Sequence, residues 1–359
     1  MKKKLVTVGL ACIAVGSASV LFAADGTEVK TCQPSGNLKF ICGMENPEDL
    51  AVLPGERWII ASGMAAKSGL HLIDAANKTG ERWIASTNGK PKAPFDRCPS
   101  QPPPDELQIH GISLRNDKNG RGTLYAVNHG GKGPIQQMSV GRGRETIEVF
   151  DITARGAKPM ISWKGCVALP GKLVANSVVS GSDGAIYATV MLHPDNQMND
   201  LFGAKPTGAV YKWEPGKPEF ERIEGTQLAG NNGIELSRDG KALYVGAVQT
   251  LTKFSNTSPA VRLKSIRLKG GWFDNIHWVG SRLIATGPRT DLCPPASDGV
   301  PCAKGYRVME IDPETLNVTV IAEGEGIQAF SVASTGVFVG KTLWLGSYAA
   351  DRAAYRSLP

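Results

Sequence analysis

A single short pattern recurs six times along this chain, and few folds can accommodate it. In its clearest copy, residues 231–248, an asparagine pair and a glycine open an alternating strand through Ile234 and Leu236. The turn Arg238-Asp239-Gly240 reverses it, and a second strand through Ala242, Tyr244 and Gly246 runs back. The other copies begin at Glu48, His110, Ala175, Asp274 and Ser331, with turn glycines at Gly55, Gly122, Gly184, Gly240, Gly280 and Gly340. Hairpins spaced 40 to 67 residues apart, with no helical pattern between them, predict an all-β fold. The expected architecture is a six-bladed β-propeller with four-stranded blades around a central channel.

The 359 residues would by length suggest about two domains, but the repeat argues for one ring over residues 46–359. Residues 24–45 carry strand-like pieces expected to complete the last blade and remove its open edge. Residues 1–23 join Lys2, Lys3 and Lys4 to an uncharged apolar run and small residues, which reads as a secretory signal peptide cleaved near Ala23 or Ala24. The mature chain is then expected to be periplasmic or secreted, with no membrane span. Without residues 1–23 the formal charge falls from +7 to +4, since three lysines and no acid leave. The remaining basic residues are scattered and not interleaved with aromatics, so nucleic acid is not an expected partner.

Once Cys12 departs with the signal, six cysteines remain, an even number in an exported chain. Proximity favours Cys32 with Cys42 and Cys293 with Cys302, which leaves Cys98 with Cys166. Three connections stand out as long and rich in proline or polar residues, residues 75–107, 191–206 and 290–304, and loops of this kind serve as lids or binding loops.

The chemistry lies in what precedes each inner strand: Glu48 and Asp49, His110, Asn176, Asn232, Asp274 and Asn275, and Ser331. Any one of these is an ordinary turn residue. Recurrence at one position of successive blades gathers them around a single axis. Glu48 and Asp274 supply hard anionic oxygens, and Asn176, Asn232 and Asn275 supply neutral carbonyl oxygens. Such a set suits Ca²⁺, which takes six to eight oxygens, better than zinc or magnesium. Two facing carboxylates would also be costly without a cation.

These pieces together resemble the paraoxonase/arylesterase family of calcium-dependent propeller hydrolases, within a wider kinship of gluconolactonases and strictosidine-synthase-like proteins. The matching stretches are PEDLAVLPGERWIIASG, HGIS at His110, LYAVNH ending in His129, KLVANSVV around Asn176, NNGIELSRDGKALYV around Asn232, FDNI around Asp274 and SVASTGVFVGKTLWLGS. The resemblance implies a carboxylic ester hydrolase acting on a small ester or lactone, with Glu48, Asn176, Asn232, Asp274 and Asn275 on a catalytic calcium. His110 would be the general base and His129 its partner, with Glu48 or Asp274 as rival bases. A second, structural calcium would fall on Asp49, the carbonyl of Ile112 and Ser177. The family has a carboxylate where Ser177 stands, and a lost charge weakens a calcium site. The family's bridge to a cysteine near the C-terminus has no counterpart after Cys302, so ring closure is expected to rest on strand pairing or a different local disulfide. His71, His193 and His277 are read as structural or surface residues. The alternatives are a gluconolactonase-like sugar lactone hydrolase and a metal-stabilised propeller that binds a partner.

Overall fold

The computed structural model describes residues 32–83, 89–98, 100–117, 119–131, 143–293 and 302–358. The expected signal segment, residues 1–23, lies outside them, as does part of the loop over residues 290–304. Among the described residues, 24 strands form six four-stranded antiparallel sheets. After β1 (Lys39–Cys42), blade one comprises β2 (Leu50–Val52), β3 (Trp58–Gly63), β4 (Gly69–Asp74) and β5 (Thr79–Trp83). Blade two comprises β6 (Ile109–Asn116), β7 (Arg121–Asn128), β8 (Thr146–Thr153) and β9 (Met160–Ala168). Blade three comprises β10 (Ala175–Ser180), β11 (Ile186–Val190), β12 (Ala209–Trp213) and β13 (Glu221–Arg222). Blade four comprises β14 (Asn231–Leu236), β15 (Ala242–Ala247), β16 (Thr250–Ser255) and β17 (Arg262–Arg267). Blade five comprises β18 (Ile276–Val279), β19 (Arg282–Arg289), β20 (Lys304–Ile311) and β21 (Val318–Gly324). Blade six comprises β22 (Thr335–Val339), β23 (Thr342–Gly346) and β24 (Arg352–Ser357), with β1 paired antiparallel to β24 as its outermost strand. The molecule is a six-bladed β-propeller.

The six sequence repeats are the six innermost hairpins. Each middle strand lies in a sheet covered on both faces, so it is apolar at consecutive positions instead of alternating; Ile59, Ile60 and Ala61 in β3 and Leu243, Tyr244 and Val245 in β15 are all buried. One apolar cluster sits between each pair of neighbouring blades. Ile60 and Leu72 of blade one meet Ile112, Leu124 and Phe150 of blade two, and Tyr244 and Leu251 of blade four meet Ile276, Ala285 and Met309 of blade five. At about 1.5–3 kcal/mol per fully buried large apolar side chain, each interface outweighs a single disulfide, worth about 2–4 kcal/mol. Packing therefore holds the ring, and the covalent links trim it. Outer strands carry charge instead: β17 reads RLKSIR and is exposed along most of its length, which discourages edge pairing with other chains.

Five of the six turn glycines have positive φ as the turns require. The second copy corrects the sequence reading. Gly122 lies inside β7, and the left-handed residue is Gly120, with φ of 69°. Asp117 Oδ1 accepts from the Asn119 and Arg121 amides, closing this turn two residues earlier. The disulfides are Cys32–Cys42, Cys98–Cys166 and Cys293–Cys302, the pairs expected from spacing. Helix is confined, among the described residues, to Met198–Phe202 and a 3-10 turn at Pro104–Glu106.

Candidate functional site

The channel residues are aimed by bulges. Inner strands β6, β10 and β14 each lose register near their start, between Ile109 and Ile112, Ala175 and Val178, and Asn231 and Ile234. A bulge adds an unpaired residue and re-aims a side chain. The residues carried in these bulges are His110-Gly111, Asn176-Ser177 and Asn232-Gly233. Glycine is needed at two of them because the next blade passes close by. A Cβ on Gly111 would stand 2.7 Å from the Asn176 carbonyl oxygen, and one on Gly233 would overlap the Asp274 carbonyl. Instead the Gly233 amide donates to that carbonyl at 3.1 Å, seating blade five's Asp274 against blade four.

Of the five predicted oxygen donors, Glu48, Asn232, Asp274 and Asn275 are linked to one another by hydrogen bonds or charge, and Asn176 is carried in the bulge of β10. Glu48, Asn176, Asp274 and Asn275 are buried and Asn232 is half-buried. The Asn275 amide nitrogen donates to Glu48 Oε1 at 2.6 Å, and the Asn232 side chain is hydrogen-bonded to Asp274. Glu48 Oε2 and the Oδ1 atoms of Asn176, Asn232 and Asn275 are buried without any hydrogen-bond partner. Each such acceptor costs roughly 1–3 kcal/mol, and native proteins hold few. These four, from blades one, three, four and five, are among eleven such atoms in the described residues, and they are the only carboxylate or amide oxygens of the eleven. Burial raises the Glu48 carboxyl well above the usual range, and the charges of Asp49 and Asp274 add to this. Burial also lifts Asp274 to about 7, against the pull of the Asn232 hydrogen bond and with a further push from Asp49. A hard divalent ion would satisfy the orphaned oxygens and reverse both shifts. Among the described residues no three His, Cys, Asp or Glu side chains form a metal cage. Blade six enters through Ser334, not Ser331: Ser334 Oγ donates to the Glu48 carbonyl at 2.6 Å, and its own carbonyl accepts from the Asn275 amide at 3.1 Å. Ser331 is exposed three residues earlier, because the connection into β22 is longer than the repeat suggested.

Asp49 is arranged differently. Its Oδ1 accepts from the Leu50 amide at 2.9 Å and from His277 Nε2 at 2.7 Å, and its Oδ2 accepts from the Ile112 amide at 2.9 Å. Ser177 adds no charge, and its amide donates to Thr189 Oγ1 at 3.1 Å. Where the sequence suggested a second cation, three nitrogen donors thus already hold the Asp49 carboxylate, Ile112 meeting it through its N–H. His277, read from sequence as structural or surface, is this corner's main side-chain partner. Burial alone would lower its pKa, but the Asp49 carboxylate, its hydrogen bond and the nearby Glu235 raise it overall. His277 and Glu235 also line a cavity of about 570 Å³ with Arg238 and Trp278, at the hairpin-turn end of the channel.

The two predicted histidines are in contact, with His110 Nδ1 at 3.1 Å from His129 Nε2, and both are buried. Behind them, His129 Nδ1 lies 2.8 Å from Glu145 Oε2. A carboxylate accepts from His129 Nδ1–H, so His129 Nε2 accepts from His110 Nδ1–H, and His110 Nε2 is left as the acceptor nitrogen. Burial, then His129, holds the His110 pKa well below its ordinary value, favouring that neutral form. Arg144 and Thr146, on either side of Glu145, are tied to fully buried Glu148, which accepts from Arg144 Nε, Thr146 Oγ1 and Trp163 Nε1, each at 2.7 Å. Of the other histidines, His71 is buried on Ser68 Oγ, its pKa lowered to about 4 chiefly by burial, and His193 pairs with Asp195 near the surface.

Sequence reasoning missed Glu145, His277 and Tyr348, whose hydroxyl pKa burial and then Asp274 push up. His277 was within reach, since it follows Asn275 by two residues and period two puts both on one face. Glu145 carries no local signal, because the segment leading to it from His129 has no strand pattern.

Residues 145–258 match the family model described as the SMP-30/Gluconolactonase/LRE-like region, a span that includes Glu145, Asn176 and Asn232. No curated protein matches the sequence. Among solved structures, a gluconolactonase from Xanthomonas campestris is 15% identical with a TM-score of 0.52, covering 90% of this chain and 89% of that one. A luciferin-regenerating enzyme is 11% identical with a TM-score of 0.50, covering 90% and 95%. At such identities the likeness is one of fold. The outer half of blade two, blade three and most of blade four thus carry the SMP-30/gluconolactonase/LRE-like pattern, on a propeller shaped like those of gluconolactonases.

Proposed function

We propose that this protein is a calcium-dependent lactone hydrolase. The observation that carries the reading is the set of four unpartnered buried oxygens from four blades, one of them on Glu48 and accompanied by the Asp274 carboxylate, together with a His–His–Glu chain that starts in the bulge of inner strand β6. Glu48, Asn176, Asn232, Asp274 and Asn275 would hold the ion. Calcium there would polarise the substrate carbonyl and stabilise negative charge on its oxygen. His110 Nε2 takes the proton of the attacking water. His129 keeps the His110 ring in the right tautomer and shares the positive charge, and Glu145 anchors His129. Glu48 and Asp274 are rival bases, and a His110 variant separates the two cases.

The substrate class follows from two supports that agree on lactones and differ beyond them. The histidine pair and the spread of matching stretches favour the paraoxonase/arylesterase pattern, hence aryl esters as well. The family match over residues 145–258 and the gluconolactonase among similar folds favour a sugar lactone. Export to the periplasm or beyond rests on the composition of residues 1–23 and is consistent with three paired disulfides. The test is hydrolysis of gluconolactone, aliphatic lactones and phenyl acetate by purified protein, with and without a chelator. Chelator-sensitive turnover of at least one lactone is expected. Tight calcium binding with no turnover on any of them would make the propeller a binding scaffold instead.

A further inference from the structure

We propose that His277 takes the place of a second channel cation, holding Asp49 by an N–H donor, so that this propeller binds at most one ion. The inference stands apart from the hydrolytic reading, because it concerns a corner that takes no part in the proposed reaction. Asp49 is fully buried, and a buried carboxylate must find a cation or hydrogen-bond donors. Here it finds three donors: the Leu50 and Ile112 amides at 2.9 Å and His277 Nε2 at 2.7 Å. Both Asp49 oxygens are thereby engaged, and neither is among the buried polar atoms without a partner. The contrast with Glu48, one residue earlier, is direct, since Glu48 Oε2 has no partner.

Two features of the sequence exclude the ion together. Ser177, which the family resemblance puts where a carboxylate would complete the site, brings only a hydroxyl, and charge count sets calcium affinity. His277 stands on inner strand β18 of blade five and reaches Asp49 at the start of blade one, so the link crosses the channel. A side chain that spans the channel this way performs the mechanical task of a buried ion, tying distant blades to one point.

The test counts calcium bound to the full chain by equilibrium dialysis, with folding checked by circular dichroism. The natural chain is expected to bind one equivalent and Asn232→Ala none. Ser177→Asp alone should gain no further ion, whereas Ser177→Asp combined with His277→Ala should gain one. Two equivalents on the natural chain, one of them lost in Asp49→Asn, would overturn the proposal. So would an extra ion on Ser177→Asp alone, or none on a folded double variant. Zero equivalents on the natural chain would sink the calcium reading of the Glu48 site, while the double variant still decides the Asp49 corner. If the double variant does not fold, the Asp49→Asn count on the natural background decides it.

Discussion

Glu48 and Asp49 are neighbours in sequence, both buried, and the channel treats them oppositely. Glu48 has one side-chain donor, the Asn275 amide nitrogen on Oε1, while its Oε2 has no partner, and burial with the charges of Asp49 and Asp274 drives its pKa well up. Asp49 is surrounded by N–H donors from Leu50, Ile112 and His277. Burial is the same, so the difference lies in the sign of what each carboxylate faces. A carboxylate with one oxygen left bare is unfinished until a cation arrives; one with both oxygens on donors is finished by the fold. The first arrangement is that of a site, the second that of a structural joint.

The contrast can be broken by removing one oxygen from the unfinished side. Asp274→Ala should lower lactone hydrolysis by about 10²–10³-fold or more and abolish calcium binding, with the circular dichroism spectrum retained. Unchanged turnover would place the chemistry elsewhere.

A second prediction uses pH. With calcium removed, Asp274 titrates in the fold at about 7, against 3.8 for an ordinary aspartate. The folded state then binds the proton more tightly than the unfolded one. Its stabilising contribution is full below about pH 3.8 and is lost as pH rises through about 7, a change of about 2–4 kcal/mol. The chelated chain should melt lower at pH 8 than at pH 5; calcium should remove most of that difference, and Asp274→Asn should remove part of it, Glu48 carrying the rest. A chelated melting curve indifferent to pH would mean Glu48 and Asp274 are not in the environment described.

Smaller effects sharpen the division of labour. His110→Gln should reduce kcat by about a hundredfold while calcium affinity is kept; an unaffected rate at every pH would hand the base to Glu48 or Asp274. Glu145→Gln, which keeps the shape and weakens the hold on His129, should cost about tenfold, with kcat falling and KM steady. A change in KM alone would make Glu145 part of substrate binding.

Much of this was legible in the sequence because a propeller repeats its grammar. Hairpin turns with Gly55, Gly184, Gly240, Gly280 and Gly340 give the blade count, and polar residues before the inner strands give the channel donors. What was lost lies where the grammar slips by a residue or two. Asp117 closes the second turn early, so the left-handed glycine is Gly120 and not Gly122. The longer approach to β22 puts Ser334 at the channel in place of Ser331. The partners of Asp49 and His129 were harder: period two from Asn275 could put His277 on the channel face, but no local pattern records which residue it or Glu145 meets, 228 or 16 residues away.

The most direct measurement is an anomalous difference map from a crystal grown with calcium. The account predicts one peak, at roughly 2.3–2.6 Å from oxygens of Glu48, Asn176, Asn232, Asp274 and Asn275, and nothing beside Asp49. A crystal saturated with calcium that shows no density among those five, or a peak on Asp49 with His277 turned away, would contradict it.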